Sequence, residues 1–227
     1  MKKLLTIIII LGAGITLLAQ DKDIRVLPDF TKIDVGQAIR LTLVPGSKNE
    51  AEVKVGGNIS LQDVETEVRG SRLRMKIIGS HQGSTRVTIT LTYKSLSGLT
   101  ISSAASVTTR GPIKADELEV EVTSAADARL EVEVKQLEVE VSSAADLTLH
   151  GKAVLQRVSV ASAGEYDGDE LTCEKVSVKV SSAGLARVRS RKELEAEANS
   201  GGTIKYRGNP EQVYVNTSSG GNIEKIN

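Results

Sequence analysis

Over much of the chain, apolar and polar residues alternate one by one. Leu118-Glu119-Val120-Glu121-Val122 and Leu137-Glu138-Val139-Glu140-Val141 are the plainest cases. Val158-Ser159-Val160, Val176-Ser177-Val178-Lys179-Val180, Leu194-Glu195-Ala196-Glu197-Ala198 and Val213-Tyr214-Val215 follow the same rule. A period of two, rich in β-branched residues, predicts strands with one buried face. The apolar positions step by two, never by three then four, so a helix of this sequence would be apolar on both faces. A coiled coil is therefore set aside.

Each of these strands runs into a step of small residues: Ser-Ala-Ala, Ser-Ala-Gly or Ser-Gly-Gly. The serines are Ser103, Ser124, Ser143, Ser162, Ser182, Ser200 and Ser219, spaced 18 to 21 residues apart. Aligned on that serine, the residues four before it are Leu99, Val120, Val139, Val158, Val178, Ala196 and Val215. Two before it stand Ile101, Val122, Val141, Val160, Val180, Ala198 and Thr217, with a polar column between. A coil of ~19 residues that presents the same residue types again and again predicts a solenoid. The expected fold is all-β: a right-handed parallel β-helix over 96–227, the hand following from the rule for parallel crossovers. Stacking at ~4.8 Å per coil makes this a rod of roughly 30 Å.

Residues 21–95 lack the period but still read as strands, for example Phe30-Thr31-Lys32-Ile33-Asp34-Val35 and Ile39-Arg40-Leu41-Thr42-Leu43-Val44. Pro45-Gly46 and Gly56-Gly57-Asn58 mark turns between them. A solenoid end exposes unpaired edges and needs covering, so 21–95 is read as an irregular N-terminal β cap continuous with the rod. Residues 1–20 read differently. Lys2 and Lys3 precede an apolar run from Leu4 to Ala19, followed at once by Asp21, Lys22 and Asp23. This is the layout of a signal peptide cleaved near Ala19 or Gln20. The run falls short of the ~20 residues that span a bilayer comfortably. No cysteine stands at its end to carry a lipid.

Composition narrows the chemistry. Aromatics make up only 2% of the chain, so the core is built from Val, Leu, Ile and Ala. Formal net charge is zero and no basic stripe is visible, which argues against nucleic acid. Cys173 is the only cysteine, so neither an internal disulfide nor a thiolate metal site can form; it is expected to be a small buried apolar residue.

The candidate groups are few. Asp127, Asp146 and Glu165 share one column three residues after the serine, a weak candidate for a cation held between coils. The competing reading is a solvated ladder or turn-capping side chains, and the column ends in Leu185, Thr203 and Asn222. Glu119, Glu121, Glu138 and Glu140 form an acidic patch, and Arg187, Arg189, Arg191 and Lys192 a basic one. Both read first as outward strand residues that keep the surface soluble, and second as contact faces. His81 and His150 have no metal spacing, and Gly201-Gly202 and Gly220-Gly221 lack the lysine and helix of a phosphate loop. No catalytic residue, cofactor or metal is expected.

Together, these features resemble the bacterial family named putative auto-transporter adhesin, head GIN domain. The resemblance runs over essentially all of 21–227. It rests on Phe30-Thr31-Lys32-Ile33-Asp34-Val35, the Ser-Ala-Ala-Asp steps at 124–127 and 143–146, Tyr206-Arg207-Gly208-Asn209-Pro210, and Ser219-Gly220-Gly221-Asn222-Ile223. In that family the step is usually Ser-Gly-Ala-Ser or Ser-Gly-Ala-Asp. Alanine in place of that glycine predicts corners that do not require a positive φ. The resemblance implies adhesion and no catalytic site.

The expected function is an exported, non-enzymatic adhesin-like or binding module of the cell envelope, in the periplasm, on the surface or secreted. Its expected partner is a surface polysaccharide or an envelope protein. One alternative is a structural envelope protein that self-assembles through its open solenoid ends. A second is a carbohydrate-active β-helix enzyme; coils of such uniform length leave little room for the long loops that build a catalytic groove.

Overall fold

The computed structural model describes residues 21–227. The signal-peptide reading of 1–20 lies outside the described residues. Strands dominate, with a single 3-10 turn at Leu61–Asp63. The N-terminal strands are β1 (Lys22–Val26), β2 (Lys32–Val35), β3 (Arg40–Pro45), β4 (Glu50–Gly57), β5 (Val64–Arg69), β6 (Arg72–Ile77) and β7 (Thr85–Tyr93). The repeats supply β8 (Gly98–Ile101), β9 (Ser106–Thr109), β10 (Ile113–Val122), β11 (Asp127–Val141), β12 (Asp146–Val160), β13 (Glu165–Val180) and β14 (Leu185–Ala198). The chain closes with β15 (Thr203–Arg207), β16 (Gln212–Thr217) and β17 (Asn222–Lys225).

The fold is the expected β-solenoid, of about seven turns. One inward column runs Leu73, Ile33, Leu99, Val120, Val139, Val158, Val178, Ala196 and Val215, each paired in parallel register with the next. Every member except the last is at most 3% exposed, while Val215 is 57% exposed. Each such apolar side chain contributes about 1.5–3 kcal/mol on burial, a gain available only when a neighbouring coil covers it.

The N-terminal region does more than cap. β2 lies between β6 and β8, and β3 between β7 and β9, all parallel. Two layers of the stack therefore come from 32–93, and the earlier one in sequence sits inside the later one. The end is then closed by antiparallel strands: β5 on β6, β4 on β7, and β1 on β4. Among the described residues the opposite end has no such cover, and all six residues of β16 are exposed.

The corners overturn one expectation. Both central residues of each step are left-handed, with or without glycine: Ser103 and Ala104 have φ of 53° and 58°, Ser124 and Ala125 58° and 56°, Ser143 and Ala144 both 57°. Ser162-Ala163 and Ser182-Ala183 repeat the pattern, as do Gln37 and Ala38 in the N-terminal layer. Alanine did not remove the positive φ; the turn geometry imposes it, as in type I′ turns, and each alanine stores the strain. Hydrogen bonds hold the strain in place. Within a corner, the amide after the step donates back three residues, as from Ala126 to Thr123 (3.3 Å). Between corners, the left-handed alanine donates to the next coil's serine carbonyl at each level, from Ala38 to Ser103 (2.9 Å) through Ala183 to Ser200 (3.1 Å). At Gly164 the space after the alanine is tight: a Cβ there would lie 2.9 Å from the Val141 carbonyl oxygen.

Candidate functional site

Corners and strand register together decide which side chains meet on the surface. Leaving the corner, β11, β12 and β13 begin with Asp127, Asp146 and Glu165, which are direct register partners. The structure therefore brings the predicted acidic column together. It also supplies cations from the adjacent outward column. Arg129 Nη1 donates to Asp127 at 2.8 Å, and Arg187 Nη1 donates to Glu165 and lies 3.7 Å from Asp167. Asp146 stands between the two paired acids. Partial burial, reinforced by Glu165 and Asp127 and opposed by Arg129, pushes its carboxyl above the ordinary carboxylate range. Among the described residues, no group of three or more His, Cys, Asp or Glu side chains is arranged to hold a metal ion. The column is a row of three acids whose two end members are paired with arginines from the adjacent column.

The other long face carries the glutamates. Glu119 pairs in register with Glu138, and Glu121 with Glu140. Like charges directly opposite one another on a sheet are destabilising, and the structure relieves only part of this. Lys32 donates to Glu119 at 3.0 Å, and Thr100 to Glu121 at 3.4 Å. Beside these strands lies a shallow cavity of about 350 Å3 lined by Lys32, Glu117, Glu119, Glu138 and Arg157 among others. The predicted basic patch is split: Arg187 is engaged with Glu165, and Lys192 with Glu174 at 2.7 Å.

The remaining candidates are scattered. His81 Nε2 lies 2.8 Å from the Ile78 carbonyl, and His150 is 4.0 Å from Glu131 on β12's neighbour. Cys173 is buried as expected, and burial pushes its thiol up to about 11, far from nucleophilic use. Sequence reasoning missed an internal polar pair. Gln156 takes the inward place that Leu137 and Val176 hold in neighbouring coils, and donates to the Tyr166 hydroxyl; both side chains are buried. Gly168 makes the room, since a Cβ there would meet the Tyr166 oxygen at 2.5 Å. A glutamine in a leucine column was the available signal.

Comparison with known proteins follows the same lines. The family described as "Putative auto-transporter adhesin, head GIN domain" matches residues 29–210. Among curated proteins, none matches. A structure described as a putative adhesin from Bacteroides fragilis superposes with a TM-score of 0.82 at 18% identity, covering 91% of this chain and 97% of that one. Another, from Parabacteroides merdae, gives 0.76 at 20% identity, covering 92% and 96%. A third, from Parabacteroides distasonis and described as a putative lipid binding protein, gives 0.73 at 18% identity, covering 92% and 97%. At these identities the likeness is one of fold.

Proposed function

We propose a role for this chain from one premise: it belongs to the putative auto-transporter adhesin, head GIN domain family. That family and the adhesin-named structures support an adhesin-like role. The finer reading is an exported, non-enzymatic binding module of the cell envelope, with a surface polysaccharide or an envelope protein as its partner. The observation that carries it is the form of the polar surface. Outward residues lie in register along the parallel strands, as with Asp127, Asp146 and Glu165 or Glu119 and Glu138. Catalysis requires several groups converging in a concave, partly desolvated pocket. Regularly spaced outward side chains instead offer repeated contacts to an extended partner, whose weak contacts add through avidity.

Export accords with the leader-like pattern of 1–20, and among the described residues no helix is long and apolar enough to cross a membrane. Cell fractionation with surface proteolysis tests location, and a binding screen against envelope polysaccharides and envelope proteins tests adhesion. Saturable binding to one of these, reduced by charge reversal at Glu138 and Glu140, is the expected result. Retention of the chain in the cytoplasm, or no binding across the screen, would overturn the reading.

A further inference from the structure

The Tyr206-Arg207-Gly208-Asn209-Pro210 segment joins β15, which ends at Arg207, to β16, which begins at Gln212. It builds one wall of an open cavity of about 330 Å3 at the uncapped end, lined by Arg189, Arg207, Gly208, Lys225, Ile226 and Asn227. Gly208 fixes that wall. Its φ is +97°, and a Cβ there would lie 2.1 Å from the Ser190 carbonyl oxygen, so the turn is pressed directly against β14.

Three cations meet at this cavity. Arg189 and Arg207 are direct register partners on β14 and β15. A like-charge pair of this kind is unfavourable without a counter-charge. Arg207 has one, Asp169, at 3.1 Å. Arg189 forms no ion pair among the described residues, and Lys225 Nζ reaches only the Asn209 amide oxygen at 3.3 Å. The Nε atoms of both arginines are buried without a hydrogen-bond partner. Oδ1 of Asp169 is buried and unpartnered in the same way. Of the three cations only Arg207 has a carboxylate partner, which leaves Arg189 and Lys225 without one among the described residues.

We propose that this cavity binds a tetrahedral oxyanion, phosphate or sulfate, free or as a monoester, between Arg189, Arg207 and Lys225. Two cations without a carboxylate partner, and paired guanidinium groups, suit the oxygens of such an anion. The site does not depend on the adhesive role.

The test is calorimetric titration of the purified protein with inorganic phosphate, sulfate and glycerol phosphate, against sodium chloride at matched ionic strength. Saturable one-site binding of an oxyanion, absent with chloride, is expected. Arg189→Gln should weaken it by about tenfold, the loss of one charge-assisted contact. Lys225→Gln should weaken it too, and a mutation there on the terminal strand leaves the inward columns untouched. Lys48→Gln, at the capped end, should not change it. A stronger response to glycerol phosphate would identify a monoester as the natural source, and a stronger response to inorganic phosphate the free ion. Binding no better than chloride, or unchanged in both Arg189→Gln and Lys225→Gln, would overturn the site.

Discussion

The backbone N–H of Ala125 donates to the carbonyl of Ser143 at 3.0 Å, from one corner to the next. Both residues are left-handed, with φ of 56° and 57°. A conformation that disfavours L-residues is thus held by the ladder between the corners. Left-handed backbone costs a non-glycine residue about 1–2 kcal/mol, and glycine returns part of that gain through its freer unfolded chain. Ala144→Gly should therefore stabilise the protein, by roughly 0.5–1 kcal/mol. A urea midpoint that rises without a change in slope is the expected result; a fall would mean that the corner is unstrained.

Val139 sits in the middle of the inward column at 1% exposure, between Val120 and Val158. Val139→Ala should cost about 1–3 kcal/mol through lost burial and a residual cavity. Val139→Asp should cost about 3–5 kcal/mol, since its carboxylate would be buried without a partner. Circular dichroism during thermal unfolding measures both, and near-wild-type stability of the aspartate variant would contradict the register.

Gly151 and Gly70 separate two meanings of a positive φ. At Gly151, φ is +113° and a Cβ would lie 2.1 Å from the Val132 carbonyl oxygen. At Gly70, φ is +60° and the space is open. Gly151→Ala should destabilise by more than about 2 kcal/mol, Gly70→Ala by about 1 kcal/mol. Equal midpoints in denaturant would show that contact with the neighbouring coil does not matter.

Two carboxylates should respond oppositely to pH. Burial and the neighbouring acids raise the Asp146 pKa above its ordinary 3.8, so at neutral pH its charge opposes folding, and protonation removes that penalty. Asp146→Asn should raise Tm at pH 7, and the difference should vanish once the pH falls below 3.8. At Glu52, hydrogen bonds from Lys22 and Lys54 hold the carboxyl down to about 2. Its contribution is present above the ordinary value of 4.5 and fades as the pH falls toward 2. Glu52→Gln should lower Tm at pH 7 and cease to matter near pH 2. Thermal scans of both variants across this range decide the signs.

Cys173, buried with its pKa pushed up to about 11, should not react with a thiol reagent in the native protein at pH 8. Full reaction should appear only in denaturant. Rapid native labelling would place the thiol outside the core.

Much of the rod was legible because its coils repeat one side-chain pattern. The serine-aligned columns predicted the register from Leu99 to Val215 directly. The layer of β2 and β3 was harder to see. Its corner is Gly36-Gln37-Ala38, where glutamine takes the serine's place, and its neighbours in space, β6 and β8, lie far along the chain in opposite stacking directions. The corner torsions were misread because residue type records tolerance of a conformation, while the ladder between coils dictates it. The acidic column was visible in sequence, but its neutralising arginines were not assigned to it: Arg129 and Arg187 reach Asp127 and Glu165 through strand geometry.

The antiparallel strands at one end and the bare β16 at the other give the molecule a polarity like that of a ruler with a fixed zero. Graduations can be added or removed only at the far tip, because each new coil needs just the alternating strand and left-handed step that the last coil already displays. Duplicating a ~19-residue segment there would lengthen the protein by roughly 4.8 Å and leave the closed base untouched. Reach is thus a quantity that can be altered in uniform increments without redesigning the closed base.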